Sequence, residues 1–287
     1  MRKLMTFLLS LTALMTYAQP KPAYSIFTAD GKQTDYGKML KALQDADVIF
    51  IGETHNCPIA HWMEYEITAD IIRKFPKGLT LGAEMFETDN QLLVDEYTQG
   101  LISSDKFEAE AKLWDNYWTD YAQLLYLARE HGLKFVATNV PRRYASFVKD
   151  NGLDALQGLS DEAKNLMAPL PIAFDKSSQD AAMFGFMQMM GGKSSGKSYF
   201  AEAQALKDAT MAWFIAKNFD RKFIHFNGNF HSDSKGGIIP YLERYLPGKK
   251  IVTLCSARQD SVKSLDKENR SRADFIIVAP TDFPMSY

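Results

Sequence analysis

Short runs of consecutive apolar residues alternate with longer stretches of helical periodicity along the chain. The runs are Asp47–Gly52, Leu79–Glu84, Lys134–Asn139, Lys222–Asn227, Lys250–Cys255 and Asp274–Ala279. They do not alternate strictly between apolar and polar, which suits strands covered on both faces, as in a parallel sheet. Between them, Pro58–Phe75 places Ile59, Trp62, Met63, Ile67 and Ile71 near one stripe, with Pro58 suited to the first helical turn. Trp118–Glu130, Tyr199–Asn218 and the shorter Ile238–Tyr245 carry apolar residues at helical spacing in the same way. Strand–helix alternation of this kind predicts an α/β fold, with a mostly parallel central sheet flanked by helices.

The stretch from about 153 to 197 breaks the pattern. It holds Pro169, Pro171 and a Met/Phe-rich run over Met183–Met190. It reads as a helical insertion or lid within a single domain spanning 19–287. The Met/Phe run suits ordinary apolar packing, a dimer surface or a greasy wall for a flat cofactor. Gly191–Ser198 matches the phosphate-binding pattern G-x-x-x-x-G-K-S literally. That motif needs a strand immediately before it, and the preceding AAMFGFMQMM reads as helix, so the match is taken as an exposed linker.

The polar residues converge where strands end. The first run leads into Gly52-Glu53-Thr54-His55, and the second ends on Glu84. The third ends on Asn139, followed by Pro141-Arg142-Arg143-Tyr144, and the fourth leads into Asn227-Gly228-Asn229-Phe230-His231. Ligands of open α/β sheets bind outside the carboxyl ends of the strands. His55 and His231 with Glu53 and Glu84 fit a metal site of imidazoles and carboxylates. The same four residues fit general acid–base chemistry on a bound water. A third reading is a polar floor that orients a larger ligand. His61 faces either the rim or the sheet. His225, inside a strand, reads as a satisfied core histidine, and His131, at a helix end, as structural. Tyr144 is either a phenolate ligand or a packed aromatic.

Charge and address narrow the field. The full chain carries a formal charge of −2, and removing residues 1–18, which hold Arg2 and Lys3 and no acid, makes it −4. Such a balance argues against non-specific nucleic-acid binding. Residues 1–18 have a basic start, a short apolar stretch from Leu4 to Thr16 and the small-residue end Thr16-Tyr17-Ala18, the form of a secretory signal peptide. An exported, soluble, periplasmic protein is expected, without an N-terminal lipid because no cysteine lies near the cleavage point. An exported chain with only Cys57 and Cys255 can form one disulfide or keep two separate buried thiols.

Several motifs in order resemble the ChaN-like haem-binding uptake family of the Tiki superfamily. They are GETH at 52–55 with His61, Glu84-Met85-Phe86, Asn139-Val-Pro-Arg142, Ala203-Gln204 with Asp208 and Met211-Ala212, and NGNFH at 227–231. The resemblance runs from about residue 40 to 245. It implies a fold of the erythromycin-esterase and ChaN-like type, and an exported haem or porphyrin binder for iron uptake that dimerises around haem and works with other envelope components. Haem-contacting candidates are His55, His61, Asn139, Arg142, Tyr144, Asn229 and His231, with Arg142 and Arg143 suited to the propionates. Tiki-type and esterase relatives imply an alternative, a hydrolase using Glu53, His55, Glu84 and His231 with a divalent metal such as Mn²⁺, Co²⁺ or Zn²⁺. The paired G-x-x-H motifs of the Tiki type are matched by Gly52–His55 and Gly228–His231.

Overall fold

The computed structural model describes residues 21–174 and 199–286. The signal-peptide segment, the Met/Phe run and the Gly191–Ser198 stretch lie outside these residues, as does the second half of the expected insertion.

Strands β1 (Ser25–Thr28) and β2 (Gln33–Thr34) open the described chain, followed by helix α1 (Tyr36–Gln44). Asp35 caps α1 by accepting a hydrogen bond from the Lys38 amide. Then come β3 (Val48–Glu53), α2 (Pro58–Lys74) and β4 (Leu79–Glu87). Pro58 occupies the first turn of α2, as the sequence predicts. Helices α3 (Gln91–Thr98), α4 (Ser104–Glu110) and α5 (Ala122–Glu130) precede β5 (Lys134–Asn139). After it come α6 (Arg142–Asn151), the short α7 (Asp161–Lys164), the long α8 (Phe200–Asn218), β6 (Lys222–Gly228), α9 (Ile238–Tyr245), β7 (Ile251–Gln259) and β8 (Phe275–Pro280).

The strands form one sheet in the order β2-β1-β8-β7-β3-β6-β4-β5. All pairs from β8 to β5 are parallel, and β1 joins β8 and β2 antiparallel. The expected α/β fold with a mostly parallel sheet is therefore the observed one. The antiparallel edge was not expected, because Ser25–Thr28 is too short to carry a pattern.

Side chains alternate between two helical layers, as the period of a strand demands. Ile49 and Ile51 of β3 and Ile224 and Phe226 of β6 pack with α1, α2 and α5. Val48 and Phe50 of β3 and Phe223 of β6 pack instead with α6, α8 and α9. Both faces are buried, so the strands read as continuous apolar runs. The first part of the expected insertion packs on the second layer, where Leu156, Met167, Ala168 and Ile172 are buried. Cys57 and Cys255 are separately buried and unpaired, in different apolar clusters.

Two features of the sheet position the site. β6 inserts between β3 and β4, so the chain order reverses around β3, and Glu53 pairs with Gly228 in register. The two G-x-x-H segments thus leave neighbouring strand ends. On the other side of β6, the β4–β5 ladder shifts register between Ala83 and Glu87, which frees the backbone around Glu84.

Candidate functional site

The alternation that sorts the core also sorts the polar residues. Glu53 shares a face with Ile49 and Ile51, and points toward the α2–α5 layer. Its Oε1 accepts from His55 Nδ1 at 2.6 Å and from the Tyr121 hydroxyl at 2.8 Å. Its Oε2 lies 3.0 Å from His61 Nδ1, an ion-pair contact without hydrogen-bond alignment. The same His61 nitrogen faces Glu64 Oε2 at 3.2 Å, one turn along α2. His61 Nε2 is 3.1 Å from the His55 carbonyl and 3.5 Å from Asp120 Oδ2. Asn116 ties this arrangement together, donating to the His55 carbonyl at 3.0 Å and to Asp120 at 2.7 Å. Asp120 and Tyr121 belong to a wide π-type turn, Tyr117–Tyr121, that leads into α5. Such turns re-aim side chains, here inward.

Glu84 points to the opposite layer. Its Oε1 is 3.1 Å from His231 Nε2, and its Oε2 accepts from the Gly228 amide at 2.8 Å. His231 Nδ1 is 2.5 Å from Asp208 Oδ1, on α8. A line of carboxylate, imidazole and carboxylate is therefore buried under the end of β6. Deeper on the same face, His225 Nε2 lies 2.8 Å from Thr138 Oγ1 and Nδ1 lies 3.0 Å from Asn227 Oδ1. Both ring nitrogens of His225 are satisfied inside the sheet.

His55 stands between the two groups and is the most open of these imidazoles, with its side chain 35% exposed against 3% for His61 and 6% for His231. Glu53 holds its Nδ1. Its Nε2 lies over Gly228, where an added Cβ would come within 2.6 Å of that nitrogen. Trp114 packs edge-on against the ring, with centroids 5.0 Å apart. Trp114 in turn lines an open cleft of about 630 Å³ with Lys112, Leu113, Glu87, Arg142, Arg143 and Ser146.

The electrostatics follow from burial and pairing. Burial alone would raise Glu53, but the close contacts with His55 and His61 overcome it and hold the carboxyl at about 2. Burial opposes the charged form of His61, yet its contacts with Glu53 and Glu64 raise it to about 11. Burial, reinforced by the Glu53 charge, pushes Glu64 well above the carboxylate range. Burial works against His231 as well, but Glu84 and Asp208 lift it to about 10. Against its own burial, Glu84 is held well below its usual value by the His231 charge. Burial raises Asp208. His55 is raised, because the bond to Glu53 outweighs its desolvation. His225 goes the other way, to about 4, because burial dominates.

The sequence-derived residues separate into those brought together and those that are not. Glu53, His55 and His61 meet directly, and Glu84 and His231 meet directly, with Gly228 between the two sets. His231 has a carboxylate on each ring nitrogen. Asn229 uses both ends of its amide on the Ser256 backbone, pinning the loop after β6 to β7. Asn139 is buried at the end of β5, and its Oδ1 has no hydrogen bond among the described residues. Arg142 is exposed and lines the cleft beside Trp114. Tyr144 packs on the apolar cluster of the α6–α8 layer, under the Arg143 guanidinium. Glu64, Asn116, Asp120, Tyr121 and Trp114 escaped the sequence reading. The one local signal was the i, i+3 pair His61 and Glu64 on a helix leaving the rim.

Residues 39–242 match the family described as haem-binding uptake, Tiki superfamily, ChaN. The chain belongs to that family. No curated protein matches it. Among solved structures it is similar to ChaN of Campylobacter jejuni, reported with cofacial haem binding, at 17% identity and a TM-score of 0.69, covering 89% of this chain and 96% of that one. At this identity the likeness shows a shared fold. An erythromycin esterase, EreC, in its open conformation matches at 13% identity and a TM-score of 0.45, over 88% of this chain and 82% of that one. A toxin effector domain from Vibrio vulnificus matches at 20% identity and a TM-score of 0.42, over 83% and 39%. Among the described residues no helix is long and apolar enough to cross a membrane.

Proposed function

We propose that this ChaN-family chain binds haem at the carboxyl-end rim of its sheet for iron uptake, without catalytic turnover. The observation that carries the placement is the setting of His55. It combines a partly open imidazole, a carboxylate anchor on Nδ1, and a neighbouring aromatic-walled cleft edged by Lys112, Arg142 and Arg143. These residues fit a porphyrin. Trp114 offers a flat apolar face, and the three cations suit the two propionates. His55 Nε2 is the nitrogen we assign to face the iron. A histidine whose other nitrogen donates to a carboxylate is oriented and made more basic as a ligand. Bound haem would supply the iron; the protein supplies orientation, charge compensation and a dry wall.

His231 and Glu84 have a different part in this reading. Each nitrogen of His231 is held by a carboxylate, so the ring acts as a buried cation that fixes Glu84. Glu84 then receives the Gly228 amide and sets the floor beneath His55. We further propose that the chain is a single domain exported after loss of residues 1–18, and that it dimerises on haem binding and hands haem to other envelope components.

A hydrolase is the second reading, and one observation favours it. The Glu53–His55 pair is a carboxylate-anchored imidazole of the kind that takes a proton from water. Hemin titration separates the two. Under the haem reading the purified chain shows a saturable, shifted Soret band and carries haem through gel filtration. Free haem eluting apart from the protein would leave the hydrolase reading in front.

A further inference from the structure

We propose that Glu53, His61 and Glu64 form a buried site for a divalent first-row cation such as Zn²⁺ or Mn²⁺, separate from the rim residues Glu84 and His231. The site lies on the far side of the Glu53 carboxylate from His55, inside the α2–α5 layer. None of its residues lines the open cleft, and it shares with the haem reading only Glu53, whose other oxygen anchors His55.

Three observations carry it. First, ligand atoms from Glu53, His61 and Glu64 lie within 4.8 Å of one another, and all three residues are buried. His61 Nδ1 is 3.0 Å from Glu53 Oε2 and 3.2 Å from Glu64 Oε2. Ligands about 2.0–2.2 Å from a tetrahedral ion stand about 3.3–3.6 Å apart, so a shift of a few tenths of an ångström admits the ion. Second, among the described residues Glu53 Oε2 and Glu64 Oε1 are buried oxygens without a hydrogen bond. Orphaned carboxylate oxygens are costly in a dry interior, and a cation satisfies Glu53 Oε2 directly and Glu64 Oε1 when that carboxylate binds through both oxygens. Third, the surroundings are those of a metal-bound histidine. His61 Nε2 faces the His55 carbonyl at 3.1 Å, with Asp120 behind it at 3.5 Å. A ring that donates from Nε2 presents the lone pair of Nδ1, and a carbonyl or carboxylate on the second nitrogen is the usual support for a ligating imidazole. The other oxygen of Glu53 is meanwhile fixed by His55 and Tyr121, which leaves Oε2 aimed inward.

The donor set of one imidazole and two carboxylates suits Zn²⁺, Mn²⁺ or Fe²⁺ rather than a soft ion. Two carboxylates also balance the charge of a divalent cation when His61 is neutral, so the bound site carries no net charge into the interior.

The test uses the purified chain, stripped with a chelator and dialysed against Co²⁺. The expected result is about one cobalt per chain with visible bands of a low-coordinate site, displaced by Zn²⁺. Glu64→Gln should weaken cobalt binding at least about tenfold, whereas His231→Gln should keep it. Should Glu64→Gln fail to fold by circular dichroism, proton NMR of the wild-type cobalt protein decides. A single, slowly exchanging, paramagnetically shifted imidazole N–H is expected, from His61 Nε2. No cobalt uptake, or a cobalt signal from two imidazoles lost in His231→Gln, would overturn the proposal. Haem titration of Glu64→Gln keeps the two readings apart, because its Soret response should match that of the wild type whether or not cobalt binds.

Discussion

His55 Nδ1 lies 2.6 Å from Oε1 of Glu53, two residues earlier in the chain, at the end of the central strand β3. Glu53 is fully buried, while a third of the His55 side chain reaches solvent. The buried partner therefore fixes the exposed one. It selects the tautomer with hydrogen on Nδ1, leaves the lone pair on Nε2, over Gly228, and raises the basicity of the ring. Replacing Glu53 with Gln should keep a hydrogen-bonding group in place but remove the charge. The expected result is a haem Soret band shifted from that of the wild type, with weaker binding. The cost to folding should be large, because His61 and Tyr121 lose the same partner; loss of a buried ion-pair partner typically costs about 3–5 kcal/mol. Chemical denaturation beside the Soret spectrum separates the two effects.

Gly228 is the floor beneath His55. Its Cβ would meet His55 Nε2 at 2.6 Å and Cε1 at 2.9 Å, and Glu84 Oε2 at 3.5 Å. Gly228→Ala should fold, at a cost of about 1–3 kcal/mol typical of overpacking. It should push the imidazole outward and alter the Soret band more than Tyr144→Phe does. An unchanged spectrum would mean that Nε2 does not face the ligand.

The Glu84–His231–Asp208 line gives folding a pH dependence. His231 rises from 6.5 when unfolded to about 10 in the fold, because Glu84 and Asp208 outweigh the cost of burying the charged ring. A raised histidine contributes stability that is fully present below 6.5 and is lost as pH climbs toward about 10. Glu84, held well below its usual value, contributes above the ordinary carboxylate range and loses this as pH falls. Both describe one interaction, so they bound a single plateau rather than adding. Melting temperature measured from pH 5 to pH 10 should fall across the alkaline half, with His231 supplying about one proton of that linkage beside those of His61 and His55. His231→Gln should remove its share of the fall and lower the plateau.

Propionate recognition is assigned to Lys112, Arg142 and Arg143. Arg143 and Lys112 already face Asp89, at 2.5 and 2.9 Å, while Arg142 is only 3.9 Å from Glu87 and is the most available of the three. Arg142→Ala should weaken haem binding and its salt dependence, yet leave binding of the haem dimethyl ester unchanged. Equal losses with haem and its ester would place the propionates elsewhere.

Much of the fold was legible because it rests on burial of both sheet faces. Val48–Glu53 is apolar almost throughout and Lys222–Gly228 is buried throughout, and their ends announce Glu53, His55 and His231. Knowing that strands end together made it readable that Glu53, Glu84 and Gly228 reach one rim. What could not be read was the layer each residue faces. Glu53 and Glu84 point to opposite sides of the sheet, which follows only from register. The partners supplied by distant elements, Asp208 on α8 and Asp120 and Tyr121 in the π-type turn, depend on tertiary packing that no local pattern encodes. The antiparallel edge at Ser25–Thr28 was hidden by its length, and α6 by its charged start, Arg142-Arg143.

The central claim is that haem binds at the rim beside His55. It is tested by titrating the purified chain with hemin and following the Soret band, with His55→Ala and Tyr144→Phe alongside. The account predicts a saturable, shifted band in the wild type, a different or weakened band in His55→Ala, and a wild-type band in Tyr144→Phe. A Soret response that is identical in wild type and His55→Ala, or no specific response at all, would contradict it.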